Sequence, residues 1–139
     1  MLDIAHRLGL RVYKVNDWQP DVSGSIRRDE KRGGESGYAI FINADHSPKR
    51  QRFTIAHEIA HYILHQDLIG DGITDDSLYR SSLRNRQETQ ANQLAADILM
   101  PWKLINRHPP QEWSVKSLAD ELDVSESALS IRLGVPVEN

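Results

Sequence analysis

The 139-residue sequence predicts an α+β fold in which a small N-terminal sheet is followed by helices. Short runs of alternating or continuous apolar residues in the first third are typical of strands. In the rest of the chain, apolar residues three and four apart are typical of amphipathic helices. The length fits one compact unit with its own core, which we divide into a main domain over 1–110 and a C-terminal helical extension over 111–139 packed on it.

Composition excludes several classes of protein. The chain is 39% hydrophobic and 27% charged, has a net charge of −3 and contains no cysteine. It therefore has no disulfide framework, no cysteine-type zinc finger and no thiol nucleophile. No apolar stretch approaches the roughly 20 residues that span a bilayer, and the first residues lack the apolar core of a signal peptide. We expect a cytoplasmic protein with no membrane partner.

The N-terminal elements follow from local patterns. A short helix is expected over 2–9, ended by Gly9, and a strand over 10–15. A brief strand is plausible over 25–28. The continuous apolar run 38–42 is the clearest strand signal in the chain.

Two long helices are expected to follow this sheet. Ser47 can cap the first, and Pro48 suits its first position. The segment 66–76, rich in glycine and aspartate, predicts a loop. A second helix is predicted over 84–100, because its apolar residues recur at helical spacing, and Pro101 ends it.

The C-terminal extension has the rhythm of a helix-turn-helix, with helices predicted over 114–122 and 125–133. A DNA-reading pair would carry basic groups, since phosphate contacts dominate affinity. Residues 111–139 hold two basic and six acidic side chains, a net of −4. We therefore expect a packing or partner-docking module, and direct DNA binding is not expected.

The strongest motif is His57-Glu58-Ile59-Ala60-His61 in the first long helix. Residues four apart lie on one helix face, so both imidazoles can reach one metal ion. Glu58 lies beside them, where a carboxylate can take a proton from water that the metal activates. Two histidines and a glutamate on a mostly apolar helix would be costly without such partners.

A third ligand is expected from the second long helix. Its apolar face extends back by one turn to Glu88, and Asn92 shares that face, where it can hydrogen-bond a ligand imidazole. The alternative is that Glu88 only complements the helix dipole. His65 is an alternative third ligand. However, it lies four residues beyond His61, and this further turn of the helix places its side chain too far from the metal to bind it. We interpret His65 as a structural residue or as a partner of a ligand.

An oxyanion stabiliser is expected opposite the metal. Spacing along the chain does not choose among the candidates, which are Tyr62, Tyr79, Arg80 and Arg84.

With these residues, the sequence resembles the ImmA/IrrE family of zinc metallopeptidases. The segment 52–61, with Leu64 and His65, is similar to the active-site helix of that family. Residues 88–92, followed by 95–101, are similar to its second signature, and the resemblance extends from about residue 24 to residue 133.

The resemblance implies a minimal zincin-like domain in which His57, His61 and Glu88 bind one Zn²⁺ per chain and Glu58 is the base, as in gluzincins. Gln90 departs from the pattern, because many members have an acid there. Members often accompany helix-turn-helix regulators and cleave them, and others belong to toxin–antitoxin pairs.

Two classes of function are compatible with the sequence. The first is a zinc-dependent endopeptidase that cleaves a helix-turn-helix regulator of the Xre type. The second is a zinc-stabilised protein that binds such a regulator without hydrolysing it, or the toxin of a toxin–antitoxin pair. Glu58 and the lack of an obvious fourth protein ligand favour the enzyme, since a structural zinc site needs no base. The same ligand set accepts Mn²⁺, Co²⁺ or Ni²⁺ as well.

Overall fold

The computed structural model describes residues 1–70, 72–76, 85–107 and 109–136, and it confirms the mixed α+β class. Helices and strands are mixed over residues 2–76, and the elements that the structure describes from residue 85 onward are all helical. In chain order the elements are α1 (Leu2–Arg7), β1 (Arg11–Val15), β2 (Val22–Arg28), β3 (Tyr38–Asn43), α2 (Pro48–Leu64), α3 (Gln66–Ile69), β4 (Ile73–Asp76), α4 (Asn85–Leu99), α5 (Trp102–Ile105), a 3₁₀ turn (Pro110–Glu112), α6 (Val115–Leu122) and α7 (Glu126–Leu133).

The sheet has four strands in the order β1-β3-β2-β4. Strand β1 runs parallel to β3, whereas β2 runs antiparallel to both β3 and β4. All six residues of β3 are buried, as its continuous apolar run predicts, and Ile40 lies opposite Ile26 of β2. Together with Ile55 and Ile59 of α2, these isoleucines form the first core cluster. Burying each such side chain contributes roughly 1.5–3 kcal/mol.

Helix α2 begins as the sequence predicts. The Ser47 side chain accepts a hydrogen bond from the backbone N–H of Arg50, and Pro48 occupies the first helical position. Every residue from Thr54 to His61 is buried, because the sheet covers one side of the helix and α4 contacts another. The site motif therefore lies in the best-packed part of α2.

The two C-terminal helices have the predicted caps. Ser114 and Ser117 form a capping box at the start of α6, and Ser125 caps α7. Asp123 and Gly134 end the two helices in left-handed backbone conformations, with φ values of 57° and 71°. The second core cluster joins these helices to α2 and α4, and it includes Ala56, Ala95, Leu99, Leu118 and Leu129.

The predicted loop over 66–76 is wrong. Gln66–Ile69 forms a helical turn, and Ile73–Asp76 forms an edge strand paired with β2. Two of its four residues are aspartates, which are depleted in strands, and backbone pairing with β2 stabilises its extended conformation. Strand β2 also begins at Val22, three residues before the predicted start, beyond a register shift between Val22 and Gly24. The short α5 and the 3₁₀ turn were not predicted.

Among the residues that the structure describes, no helix is both long and apolar enough to cross a membrane.

Candidate metal centre

Three buried side chains from α2 and α4 converge on one point. His57 and His61 lie one turn apart on α2, and both direct Nε2 toward Glu88 near the start of α4. Nε2 of His57 is 3.1 Å from Oε2 of Glu88, and Nε2 of His61 is 3.2 Å from Oε1. The carboxylate therefore bridges two imidazoles in an interior position.

This donor set fits a divalent metal ion. The candidate ligand atoms of His57, His61 and Glu88 all lie within 4.8 Å of one another. Ligand atoms held about 2 Å from a tetrahedral zinc lie roughly 3.3 Å apart. Each imidazole Nε2 lies close to that distance from one oxygen of Glu88, His57 from Oε2 and His61 from Oε1. Two imidazoles and one carboxylate also leave a fourth position open, as in catalytic zinc sites. A metal ion bound here would also supply positive charge beside the buried carboxylate of Glu88.

Glu58 lies between the two histidines in the chain but outside this donor group. Its side chain is fully buried. Strand β2 passes directly over it at Gly24, where a Cβ atom would lie 3.2 Å from Oε2 of Glu58 and only 2.5 Å from Cγ2 of Thr54. Glycine at position 24 therefore lets the strand approach the carboxylate. Sequence reasoning missed this residue, because no local pattern marks a close approach between distant segments.

His65 and Gln90 continue the site on the side away from Glu88. Helix α2 ends at Leu64, and His65 is its C-cap. Nδ1 of His65 lies 3.0 Å from Nδ1 of His61, and its Nε2 lies 2.8 Å from Oε1 of Gln90. The structure thus places His65 against a ligand candidate rather than within the donor group.

The remaining predicted site residues lie in different surroundings. Asn92 is half-buried on α4, one turn beyond Glu88. The Tyr62 ring packs on the first core cluster and meets Tyr38 edge-on, with ring centroids 5.4 Å apart. The other three oxyanion candidates, Tyr79, Arg80 and Arg84, lie outside the described residues.

Comparison with known proteins adds independent evidence. Residues 5–134 match the model of the IrrE N-terminal-like domain family. The chain is 38% identical over 110 residues to the radiation response metalloprotease IrrE of Deinococcus deserti, an alignment covering 72% of this chain and 38% of the relative. It is 39% identical over 108 residues to the protein of the same name from Deinococcus radiodurans, covering 70% and 32%.

A third relative is more distant in sequence. The metallopeptidase ImmA of Bacillus subtilis is 27% identical over 116 residues, which cover 82% of this chain and 64% of that protein. The chain thus spans about a third of the length of the two IrrE proteins and under two thirds of ImmA.

Proposed function

The chain belongs to the family of IrrE N-terminal-like domains, and from this premise we propose that it is a zinc-dependent endopeptidase. The observation that carries the proposal is the convergence of His57, His61 and Glu88, with Glu58 beside them on α2. Three protein donors with a neighbouring carboxylate are the set that metal-assisted peptide hydrolysis requires.

We assign one zinc ion per chain to His57, His61 and Glu88. When bound, zinc supplies a Lewis acid that polarises the scissile carbonyl and lowers the pKa of water. Glu88 contributes negative charge that offsets part of the charge of the cation, and the imidazoles bind through neutral nitrogen. We also propose that Asn92, one turn beyond Glu88 on α4, hydrogen-bonds a ligand imidazole.

Glu58 acts as the general base and then as the general acid. Its carboxylate accepts a proton from the attacking water, and the same proton passes to the leaving amine as the peptide bond breaks. Burial beneath β2 strengthens these electrostatic effects, because the local dielectric is low. The proton thus returns from Glu58 to the product, and the enzyme ends the cycle unchanged.

The proposed substrate is a helix-turn-helix regulator of the Xre type, cleaved in the cytoplasm. Resemblance to the ImmA/IrrE family supports this choice, and the minimal zincin-like description of the domain has the same basis. The C-terminal extension 111–139, which contains α6 and α7, is proposed as a helix-turn-helix-like docking module for a protein partner, since its net charge of −4 opposes phosphate binding.

Replacing Glu58 by Gln tests the catalytic role. The wild type and Glu58→Gln are each loaded with zinc and incubated with a peptide library. New peptide termini are identified by mass spectrometry. Glu58→Gln should retain about one zinc per chain and lose at least about a hundredfold in cleavage, because proton transfer contributes 10²–10⁴-fold. Cleavage by Glu58→Gln at the wild-type rate would exclude Glu58 as the base.

The zinc content of further variants, purified in the same way, tests the ligand set. We expect zinc to be lost from both His61→Ala and Glu88→Ala. Loss from His61→Ala alone would move the third ligand elsewhere, with His65 the next candidate.

A zinc-stabilised binding protein is the second candidate function, and the complete burial of Glu58 favours it. In that case neither the wild type nor Glu58→Gln cleaves the library, and both bind the regulator with the same affinity. Cleavage of the library by the wild type, but not by Glu58→Gln, decides for the peptidase.

A further inference from the structure

A chain of side-chain hydrogen bonds runs from the metal-facing imidazole to the surface of α4. Nδ1 of His61 lies 3.0 Å from Nδ1 of His65, and Nε2 of His65 lies 2.8 Å from Oε1 of Gln90. His61 is fully buried and His65 is 6% exposed, whereas Gln90 is exposed. An exposed amide is therefore connected to a buried imidazole through one intervening histidine.

The amide oxygen of Gln90 sets the direction of the hydrogens along this chain. An amide oxygen can only accept, so Nε2 of His65 donates to it. A neutral imidazole with hydrogen on Nε2 has a bare Nδ1, which accepts from Nδ1 of His61. His61 then presents the lone pair of Nε2 on the side of Glu88, where Oε1 lies 3.2 Å away.

We infer that Gln90 and His65 are positioning residues that hold His61 in the tautomer able to bind the metal. The inference rests on the metal site of the proposed function and not on peptide hydrolysis. A donor at position 90 would reverse every hydrogen bond in the chain. His65 would then donate from Nδ1, and His61 would carry its hydrogen on Nε2, facing the metal. Metal affinity therefore depends on a residue that is not itself a ligand.

Zinc affinity of the full chain measures this dependence. Dissociation constants are determined at pH 8, above the reference pKa of a free imidazole, by competition with a chromophoric chelator. Gln90→Lys offers only a donor and should weaken zinc binding by about tenfold or more, the usual cost of losing an outer hydrogen-bond partner. Gln90→Glu offers only acceptors and should stay within about threefold of the wild type, because the direction of the chain is kept.

Two controls separate the hydrogen-bond effect from the added charge. Gln93→Lys places the same charge on the exposed face of the same helix and should leave affinity within about threefold of the wild type. In a His65→Asn background, the asparagine oxygen can still accept from His61, but the link to position 90 is cut. Gln90→Lys should then have no further effect.

Nitrogen-15 NMR of the zinc-loaded protein reports the tautomer directly. We expect His65 to carry its hydrogen on Nε2 in the wild type and in Gln90→Glu. A hydrogen on Nδ1 of His65 in the wild type would overturn the inference.

The zinc affinities give two further ways to fail. An equal loss of affinity in Gln90→Lys and Gln93→Lys, or a loss that persists in the His65→Asn background, would overturn the inference as well. If the wild type binds zinc and substitutions of residue 90 leave the zinc affinity unchanged, this inference fails and the proposed metal site stands. A wild type that binds no zinc removes the proposed metal site together with it.

Discussion

At the scale of single residues, the site holds an acidic side chain in a buried position. Glu88 is 2% exposed, yet it faces two imidazoles that are uncharged when they bind a metal through nitrogen. A cation beside a buried carboxylate in that position stabilises it. The geometry and burial of His57, His61 and Glu88 therefore favour metal binding on physical grounds, independently of the comparison with relatives.

The site residues differ in how well the sequence predicts them. His57, Glu58 and His61 follow from the spacing within one helix, and Glu88 follows from the periodicity of another. The role of Gly24 depends on where β2 crosses α2, and the local sequence pattern does not specify this position.

Gly24→Ala tests whether the close approach of β2 to α2 is needed. The new Cβ would lie 2.5 Å from Cγ2 of Thr54, so the strand or the helix must move. We expect a loss of about 1–3 kcal/mol in the free energy of unfolding, the usual cost of overpacking a core. Urea denaturation measures it.

The matched control removes the obstructing atom. Thr54→Ser deletes Cγ2 and keeps the hydroxyl that donates to the Arg50 carbonyl oxygen at 3.0 Å. Thr54→Ser should recover part of the loss, so that Gly24→Ala costs less in this background than in the wild type. The backbone oxygen of Phe41, 3.0 Å from the new Cβ, still limits the space. No recovery would show that the clash with Thr54 is not the cause.

At the scale of elements, the sequence predicts those helices and strands whose conformation depends on residues nearby in the chain. Helix α2 and strand β3 were predicted to within one residue where they begin, because a cap and a continuous apolar run mark those boundaries. Strand β4 was missed, since its conformation comes from pairing with β2 more than 40 residues earlier in the chain. Helix α5 has four residues, too few for a periodic pattern to show.

The first turn of α2 is attached to the C-terminal helices by ionic and polar contacts. Nζ of Lys49 lies 2.6 Å from Oδ1 of Asp120, and Arg52 donates to the backbone carbonyl oxygens of Leu122 and Asp123. The hydrogen bond from Lys49, with its charge, holds the pKa of Asp120 below the ordinary value of 3.8. These contacts fix the helix that carries the site against α6.

The lowered pKa of Asp120 gives a pH-dependent contribution to stability. The pKa is lower in the folded protein than in the unfolded chain, so the contribution is complete above pH 3.8 and is lost as the pH falls through the folded value. Asp120→Asn should therefore be slightly less stable than the wild type at pH 7, and the two should converge below pH 3.8. Thermal unfolding at a series of pH values measures the difference.

A double-mutant cycle provides the control for this ion pair. Lys49→Gln should cost stability in the wild type and nothing further in the Asp120→Asn background. Equal costs in both backgrounds, or a difference that persists unchanged as the pH falls well below 3.8, would show that the pair does not stabilise the fold. One molar salt should also reduce the difference at pH 7, because both groups are accessible to solvent.

At the scale of the whole molecule, α2 is the element shared by the two core clusters. Ile55 and Ile59 belong to the cluster on the sheet, whereas Ala56 belongs to the cluster formed with α4, α6 and α7. The candidate ligands span the contact between α2 and α4, so a metal there would link the sheet side to the helical side. Metal binding is therefore expected to stabilise the entire fold and not only the site.

Removing the metal tests this coupling. A ligand that binds only the folded state stabilises it by about 2.7 kcal/mol at a hundred times its dissociation constant. We expect the unfolding temperature of the chelator-treated protein to rise on addition of zinc, and amide hydrogen exchange to slow in α2 and α4 together. Glu88→Gln should lose most of both effects, because the neutral amide no longer offsets the charge of the cation. An equal rise in Glu88→Gln would place the stabilising zinc at another site, and slower exchange in α2 alone would show that the metal does not link the two clusters.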